Sequence, residues 1–190
     1  MIETDVLRAK FEAALPYDAY VATGSDDDAR AWSEFRKTVH TTPEQAELFA
    51  GFTRRMHLLV VSGTWCGDCV QQVPLLDAIA GLRPDLIELR IVDRDEHMDL
   101  SKRVVINGGL RVPVVLFLNE EFEFASVYGD RTLARYRGMA EAILGASCPL
   151  PGAPVPEDKV QAMLQDWIDE TERVQLLLRM STKLRAKHGD

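Results

Sequence analysis

Residues 58–61, Leu-Leu-Val-Val, form an unbroken apolar run, and Trp65-Cys66-Gly67-Asp68-Cys69 follows close behind it. A strand with one wet face would alternate apolar and polar residues. A continuous run fits a strand covered on both faces, at the centre of a sheet rather than on its surface. Chemistry gathers at the carboxyl ends of such strands, so the two sulfurs are the first candidates for function. Cysteines spaced this way can hold a metal, staple the chain or exchange electrons, and their surroundings have to decide among these.

The chain beyond the cysteines keeps switching period. Val70, Val73, Leu76, Ile79 and Ala80 predict a helix over 69–80, and Ile87, Leu89 and Ile91 alternate in a strand over 86–92. A helix is expected over 96–106, closed by Asn107-Gly108-Gly109. Two strands are then expected over 114–118 and 122–128, joined by a hairpin turn at Asn119-Glu120. A last helix over 131–144 has Leu133, Tyr136, Met139, Ala140 and Ile143 on one side. The order is β-α-β-α-β-β-α.

Helices flank this core. Val6, Leu7, Lys10, Phe11, Ala14 and Leu15 recur at helical spacing up to Pro16, and Trp32, Phe35, Arg36 and Val39 predict a second helix after the polar stretch 24–28. Thr42 can cap a third helix beginning at Pro43. The acid run Asp26-Asp27-Asp28 reads as a solvated helix start rather than a cation site. Residues 148–156 hold four prolines in nine positions and make an extended connector. From Pro156 a long helix is expected, with Val160, Met163, Leu164, Trp167, Ile168, Val174 and Leu178 on one face. Lys183, Arg185, Lys187 and His188 stand at its carboxyl end, where the helix dipole favours positive charge. That stripe packs on the chain's own core or on a second copy, so a monomer or a helix-mediated dimer is expected. Three regions result: a helical extension (1–54), a core (55–147) and a connector with a terminal helix (148–190).

Charge and composition narrow the functions. The chain has 22 basic and 30 acidic side chains, a net charge of -8, which opposes binding to nucleic acid or an anionic membrane. No stretch approaches the roughly 18 apolar residues of a membrane span, and the opening MIETDVLRAKFEAALP lacks the basic start and apolar run of a secretory signal. A cytoplasmic protein is expected. Thiol pools there are reducing, which favours a catalytic or metal-binding pair over a permanent staple. Zinc needs four ligands, and one pair, a distant Cys148 and scattered His40, His57, His97 and His188 do not supply ligand spacing, so no metal is expected. Cys148, beside Pro149, shows no sign of activation.

The apolar strand, Trp65-Cys66-Gly67-Asp68-Cys69, Pro74 within the following helix, and Val112-Pro113 just before a strand together resemble the thioredoxin superfamily over roughly residues 55–145. The resemblance implies an α/β thioredoxin-like fold, with a mixed four-stranded sheet in the order 2-1-3-4 flanked by helices. It implies a thiol-disulfide oxidoreductase that reduces protein disulfides through a mixed disulfide, with Cys66 as nucleophile and Cys69 as the shielded resolving thiol. A thiolate at a helix's first turn faces free backbone N–H groups and the positive end of the dipole, and Cys69 lies one turn on, within reach of the mixed disulfide. No cofactor is expected beyond the Cys66–Cys69 disulfide itself, and the partner is a disulfide-containing protein or a small thiol. The resemblance makes Pro113 cis and facing the dithiol, with the Val112 backbone pairing to substrate, and it places Trp65 and Gly129 along the groove. The alternative is a non-catalytic thioredoxin-fold adaptor or chaperone-like protein.

Two departures from the thioredoxin pattern stand out. Asp68 occupies a position usually held by proline. Its carboxylate either disfavours the Cys66 thiolate and keeps the dithiol reducing, with Gly67 and Asp68 as modulating residues, or is an exposed helix-start residue of little effect. Val60 replaces the aspartate that thioredoxins proper bury six positions before the first cysteine, leaving the internal base missing. Asp68 and Asp93 are candidate substitutes, although Asp93 fits better as a cap for the next helix.

Overall fold

The computed structural model describes residues 2–144 and 158–190. The proline-rich connector and Cys148 lie outside the described residues.

Strand β1, Met56–Ser62, is buried along its whole length. It pairs in parallel with β2 (Ile87–Asp93) on one side and antiparallel with β3 (Val114–Asn119) on the other. Strand β4 (Phe124–Gly129) adds antiparallel to β3, giving the order β2-β1-β3-β4. Central position explains the unbroken apolar run: neither face of β1 meets water. The edge strand β4 leaves Phe124 and Val127 exposed.

Helices α1 (Thr4–Ala13), α2 (Tyr17–Val21), α3 (Asp26–Lys37) and α4 (Pro43–Ala50) build the amino-terminal region. Ser25 and Thr42 close capping boxes on α3 and α4, so the acid run 26–28 is the first turn of a helix, as its sequence predicts. These helices are an extension in sequence but not in packing. Leu7, Phe11, Tyr20, Trp32 and Phe49 are buried in one continuous core with the sheet. Leu15 bridges to Ile91 in β2, Arg36 pairs with Asp77 at 2.8 Å, and the Trp32 indole N–H donates to the Thr64 carbonyl at 2.8 Å.

Helix α5 (Gly67–Leu82) connects β1 to β2 and carries Pro74 within it. The helix expected over 96–106 is reduced to the single turn α6 (Met98–Ser101). The Ser101 hydroxyl donates to the carbonyls of Arg94 and His97, and the β-branched Val104 and Val105 disfavour continuation. Ile106 and Gly109 exchange backbone hydrogen bonds at 3.0 Å around Asn107 (φ 48) and Gly108 (φ 71), a tight reversal instead of a helix stop. The hairpin after β3 is longer than expected. Asn119 Oδ1 accepts from the N–H groups of Glu121 and Glu123, and Phe122 takes a positive φ of 65, which delays β4 to Phe124.

Helix α7 (Leu133–Leu144) begins two residues later than expected, with the Thr132 hydroxyl accepting from Arg135 N–H. Its Leu133, Tyr136 and Ile143 are exposed, so the apolar side seen in sequence is not the packing side. Helix α8 (Lys159–Met180) is capped by Asp158 and buries Met163, Leu164, Trp167, Ile168, Val174 and Leu178 in the chain's own core. The single long terminal helix is in fact two. Ser181 leaves the helical region, and its hydroxyl caps α9 (Thr182–His188). The basic residues of α9 have a more specific role than complementing a dipole: Lys183 pairs with Glu121 and Glu123, Lys187 with Glu120 and Glu121, and His188 with Glu120. Pairs this exposed are individually weak, but together they fasten the carboxyl terminus to the β3–β4 turn. No helix among the described residues is long and apolar enough to cross a membrane.

Because the amino-terminal helices share the sheet's core, Trp32→Ala should destabilise the whole unit. Removal of a buried indole is expected to cost about 3–5 kcal/mol, within one cooperative urea transition. Two separated transitions would show instead that the extension folds apart from the sheet.

Candidate functional site: a dithiol at the amino end of α5

Strand β1 ends at Ser62, the chain turns through Gly63 and Thr64, and Cys66 becomes the residue that caps α5. Its own N–H is held by the Gly63 carbonyl at 3.1 Å, so the loop is closed under the sulfur. Cys66 is partly exposed and Cys69 is fully buried. This is the asymmetry that a nucleophile and a shielded second thiol require.

The electrostatics follow from that placement. The Cys69 thiol donates to the Cys66 sulfur, and the backbone N–H groups of Cys69 and Asp68 point at it. These outweigh burial and the Asp68 charge, and the Cys66 pKa falls to about 6. Cys69 moves the opposite way. Burial, followed by its hydrogen bond to Cys66 and the charge there, pushes its ionisation well above the ordinary thiol range.

The Val112–Pro113 peptide bond is cis and lies against the dithiol. In its thiol form Cys66 donates to the Val112 carbonyl at 3.7 Å. Gly129 has a role that the sequence does not reveal. With φ at 151, a Cβ there would sit 2.5 Å from the Pro113 carbonyl oxygen, so glycine is needed for β4 to close against the Pro113 segment, independently of any partner's approach. Gly67 has open space around a would-be Cβ, and no packing reason for it is visible. Trp65 is 54% exposed, with the Arg94 guanidinium 4.6 Å over its ring. The ring also lies over Gly63, where an added Cβ would meet it at 2.8 Å, so it packs at the strand end and leaves the rest of its surface open beside Cys66.

Asp68 is not an exposed helix-start residue: Arg131 and Arg135 hold it at 2.5 and 3.0 Å and its side chain is only 13% exposed. Its charge opposes the Cys66 thiolate, as the first of the two readings expects, but it does so as a paired carboxylate and not a free one. Arg131 also pairs with Asp130, which is buried and accepts from Arg111 and the Tyr136 hydroxyl. Burial pushes the Asp130 carboxyl up, but Tyr136 and the two arginines overcome this and hold it below the usual range. Gln72 of α5 completes the connection, donating to the Asp130 carbonyl at 2.8 Å and accepting from Thr132 N–H at 3.1 Å. A charged lattice therefore clamps α5 to the segment following Gly129. Asp93 accepts from the N–H groups of Asp95 and Glu96 at the start of the next turn, the capping role open to it in the sequence.

Arg131, Arg135, Asp130 and Gln72 carry no motif in the sequence. Arg135 reaches Asp68 across 67 residues, and only the fold brings them together. The one available signal was the unusual acid at position 68, whose burial calls for a cationic partner.

A four-stranded sheet in this order, with a helix-capping cysteine, a sealed second cysteine and a cis proline opposite, defines a thioredoxin-fold protein with an intact dithiol. The thioredoxin family model matches residues 14–141, and the chain belongs to that family. Among solved structures it is similar to a protein of unknown function from Pseudomonas aeruginosa, at 26% identity and a TM-score of 0.68, covering 86% of this chain and 95% of that one. It is also similar to an HIV epitope-scaffold, at 23% identity and a TM-score of 0.63, covering 92% and 98% respectively. Both likenesses extend through the amino-terminal or carboxyl-terminal helices as well as the sheet, since such coverage exceeds the core alone.

Two measurements test the site. Alkylation of Cys66 should rise with pH through about 6 and level off near neutrality, while Cys69 stays unmodified in the folded protein. Asp68→Asn removes a negative charge that opposes the Cys66 thiolate, so the midpoint of that curve should move below the native value. An unchanged or higher midpoint would show that the clamp does not act on Cys66.

Proposed function

We propose that this protein is a thiol-disulfide oxidoreductase that reduces disulfides of a protein or small-thiol substrate. The observation that carries the reading is the split between the two sulfurs: one accessible and ionised near pH 6, the other sealed beneath it and kept protonated. The Cys66 thiolate attacks one sulfur of the substrate disulfide, that bond breaks, and the first substrate sulfur leaves as a thiolate. Cys69 then gives up its proton and attacks Cys66. The Cys66–Cys69 disulfide forms, the mixed disulfide breaks, and two electrons have passed to the substrate.

The groove beside Cys66 suits an extended segment. Trp65 offers an exposed ring, and the Val112 backbone lies next to the sulfur at the mouth of β3, with Pro113 and Gly129 closing the floor. We further propose that the Asp68–Arg131–Arg135 clamp tempers thiolate stability and keeps the dithiol a reductant, because a more stable thiolate would make the disulfide form the stronger oxidant. Function in a reducing compartment such as the cytoplasm, without a cofactor beyond the dithiol and without nucleic acid or membrane as partner, is the setting this chemistry and the acidic composition support.

Insulin reduction with dithiothreitol should proceed faster with the native protein than without it, and Cys66→Ser should abolish the gain. Cys69→Ser should retain substrates as mixed disulfides on Cys66, separable by reducing and non-reducing electrophoresis. A Cys69→Ser protein that traps nothing, alongside a native protein without turnover, would favour an adaptor.

A further inference from the structure

Resolution requires Cys69 to lose a proton inside the protein, and the position where thioredoxins proper bury a carboxylate for this is filled by the apolar, fully buried Val60. The structure holds a different polar group at the same depth. Ser62, the last residue of β1, is fully buried, and its hydroxyl lies beside the Cys69 thiol, where it favours the thiolate. Tyr20 of α2, 1% exposed, also brings its hydroxyl near that of Ser62. Neither hydroxyl completes a hydrogen bond of normal geometry, although both are shut away from solvent. Buried hydroxyls without partners are unfavourable and uncommon. Two of them side by side, behind a thiol that must release a proton, call for a role.

Tyr20 also lines a cavity of about 220 Å³ on the far side, together with Thr23, Asp93, Glu96 and His97. Thr23 and Glu96 are exposed, so this cavity reaches the surface. We propose that Ser62 and Tyr20 form a hydroxyl relay that carries the Cys69 proton to this cavity while Cys69 attacks the mixed disulfide. The inference rests on the dithiol chemistry proposed above. As the Cys66–Cys69 bond forms and the Cys66–substrate bond breaks, Ser62 Oγ takes the Cys69 proton and passes its own to Tyr20. Tyr20 in turn releases one to Asp93, which lines the cavity, and the departing substrate sulfur leaves with the electron pair. No external oxidant or reductant enters this step.

Ser62 is the group next to the reacting sulfur, and Tyr20 acts through it. Burial, the nearby Asp93 and the two cysteines push Tyr20's own ionisation far up, so it relays as a neutral hydroxyl and never accumulates as a phenolate. The groups around it are Cys66 and Cys69 at α5, Asp93 at the end of β2, and Glu96 and His97 in the following turn. Trp32 from α3 packs on its ring at 5.8 Å without charge. The relay gives the amino-terminal helices a part in catalysis: α2 supplies a group that a bare sheet and its flanking helices do not contain.

The test uses the full-length chain with Cys148→Ser, so that only two thiols react, and the aryl disulfide dithiobis-nitrobenzoate as substrate. Attack by Cys66 releases a first coloured thiolate, and resolution by Cys69 releases a second in a unimolecular step. Tyr20→Phe and Ser62→Ala should leave the first release unchanged and slow the second by about 100-fold at neutral pH, the lower end of what a positioned proton acceptor contributes. The slowed step should also accelerate with rising pH, because hydroxide must now take the proton, while the native step stays nearly flat. Variants that resolve at the native rate overturn the relay, as do variants that are slowed with the native pH profile. If Tyr20→Phe fails to fold by circular dichroism, Ser62→Ala decides alone. A native protein that gives a first release and never a second overturns the dithiol reading itself, and the relay with it.

Discussion

The burial of β1 on both faces is the constraint on which the rest depends. With β2 and β3 hydrogen-bonded to its edges and helices over its faces, this strand has no freedom of register, and the place where it ends is fixed to the residue. The chain must turn after Ser62, and α5 must begin at Gly67 to return over the sheet. Cys66 therefore caps a helix whose free N–H groups point at its sulfur. The low thiol pKa follows first from the Cys69 thiol one turn on, and then from the same unsatisfied backbone donors that any helix start presents.

Around that point the protein assembles its environment from distant parts of the chain. The cis Val112–Pro113 bond sets a carbonyl against the Cys66 sulfur, and Gly129 lets β4 close over the Pro113 carbonyl where any side chain would collide. The Asp68–Arg131–Arg135 pairs and the Asp130 cluster then lock α5 to the loop that follows β4. Charges this buried are tolerated because each is paired and hydrogen-bonded. The result is a platform that presents the partly exposed Cys66 beside the exposed ring of Trp65.

The helical additions are easily taken for decoration on a familiar fold, and the packing contradicts that. Trp32 holds the Thr64 carbonyl in the loop before the cysteines, and Tyr20 buries its hydroxyl near that of Ser62 behind them. At the other end of the chain, α8 covers the opposite part of the core and α9 ties itself to the acidic β3–β4 turn. The loop before the cysteines is consequently supported from the amino-terminal helices as well as from the sheet.

Local pattern in the sequence was sufficient for β1, β2, β3 and α5, for the capped starts of α3 and α4, and for the cysteine pair, because burial on both faces, helical spacing and capping chemistry are all written within a few neighbouring residues. It failed where competing local interactions decide: Ser101 and two valines cut short the expected 96–106 helix, Asn119 lengthened the hairpin, and Ser181 broke the terminal helix in two. Beyond local reach altogether were the partners of Asp68, the demand for glycine at position 129, and the meeting of Tyr20 with Ser62. Each of these depends on which distant surfaces come together when the core closes. Neighbouring residues were enough to put a cysteine pair at a helix start after a buried strand, since backbone geometry and the hydrophobic effect act on adjacent positions. Which charges and hydroxyls surround that pair was settled by the folded packing, since electrostatic pairing acts through space and takes no account of separation along the chain.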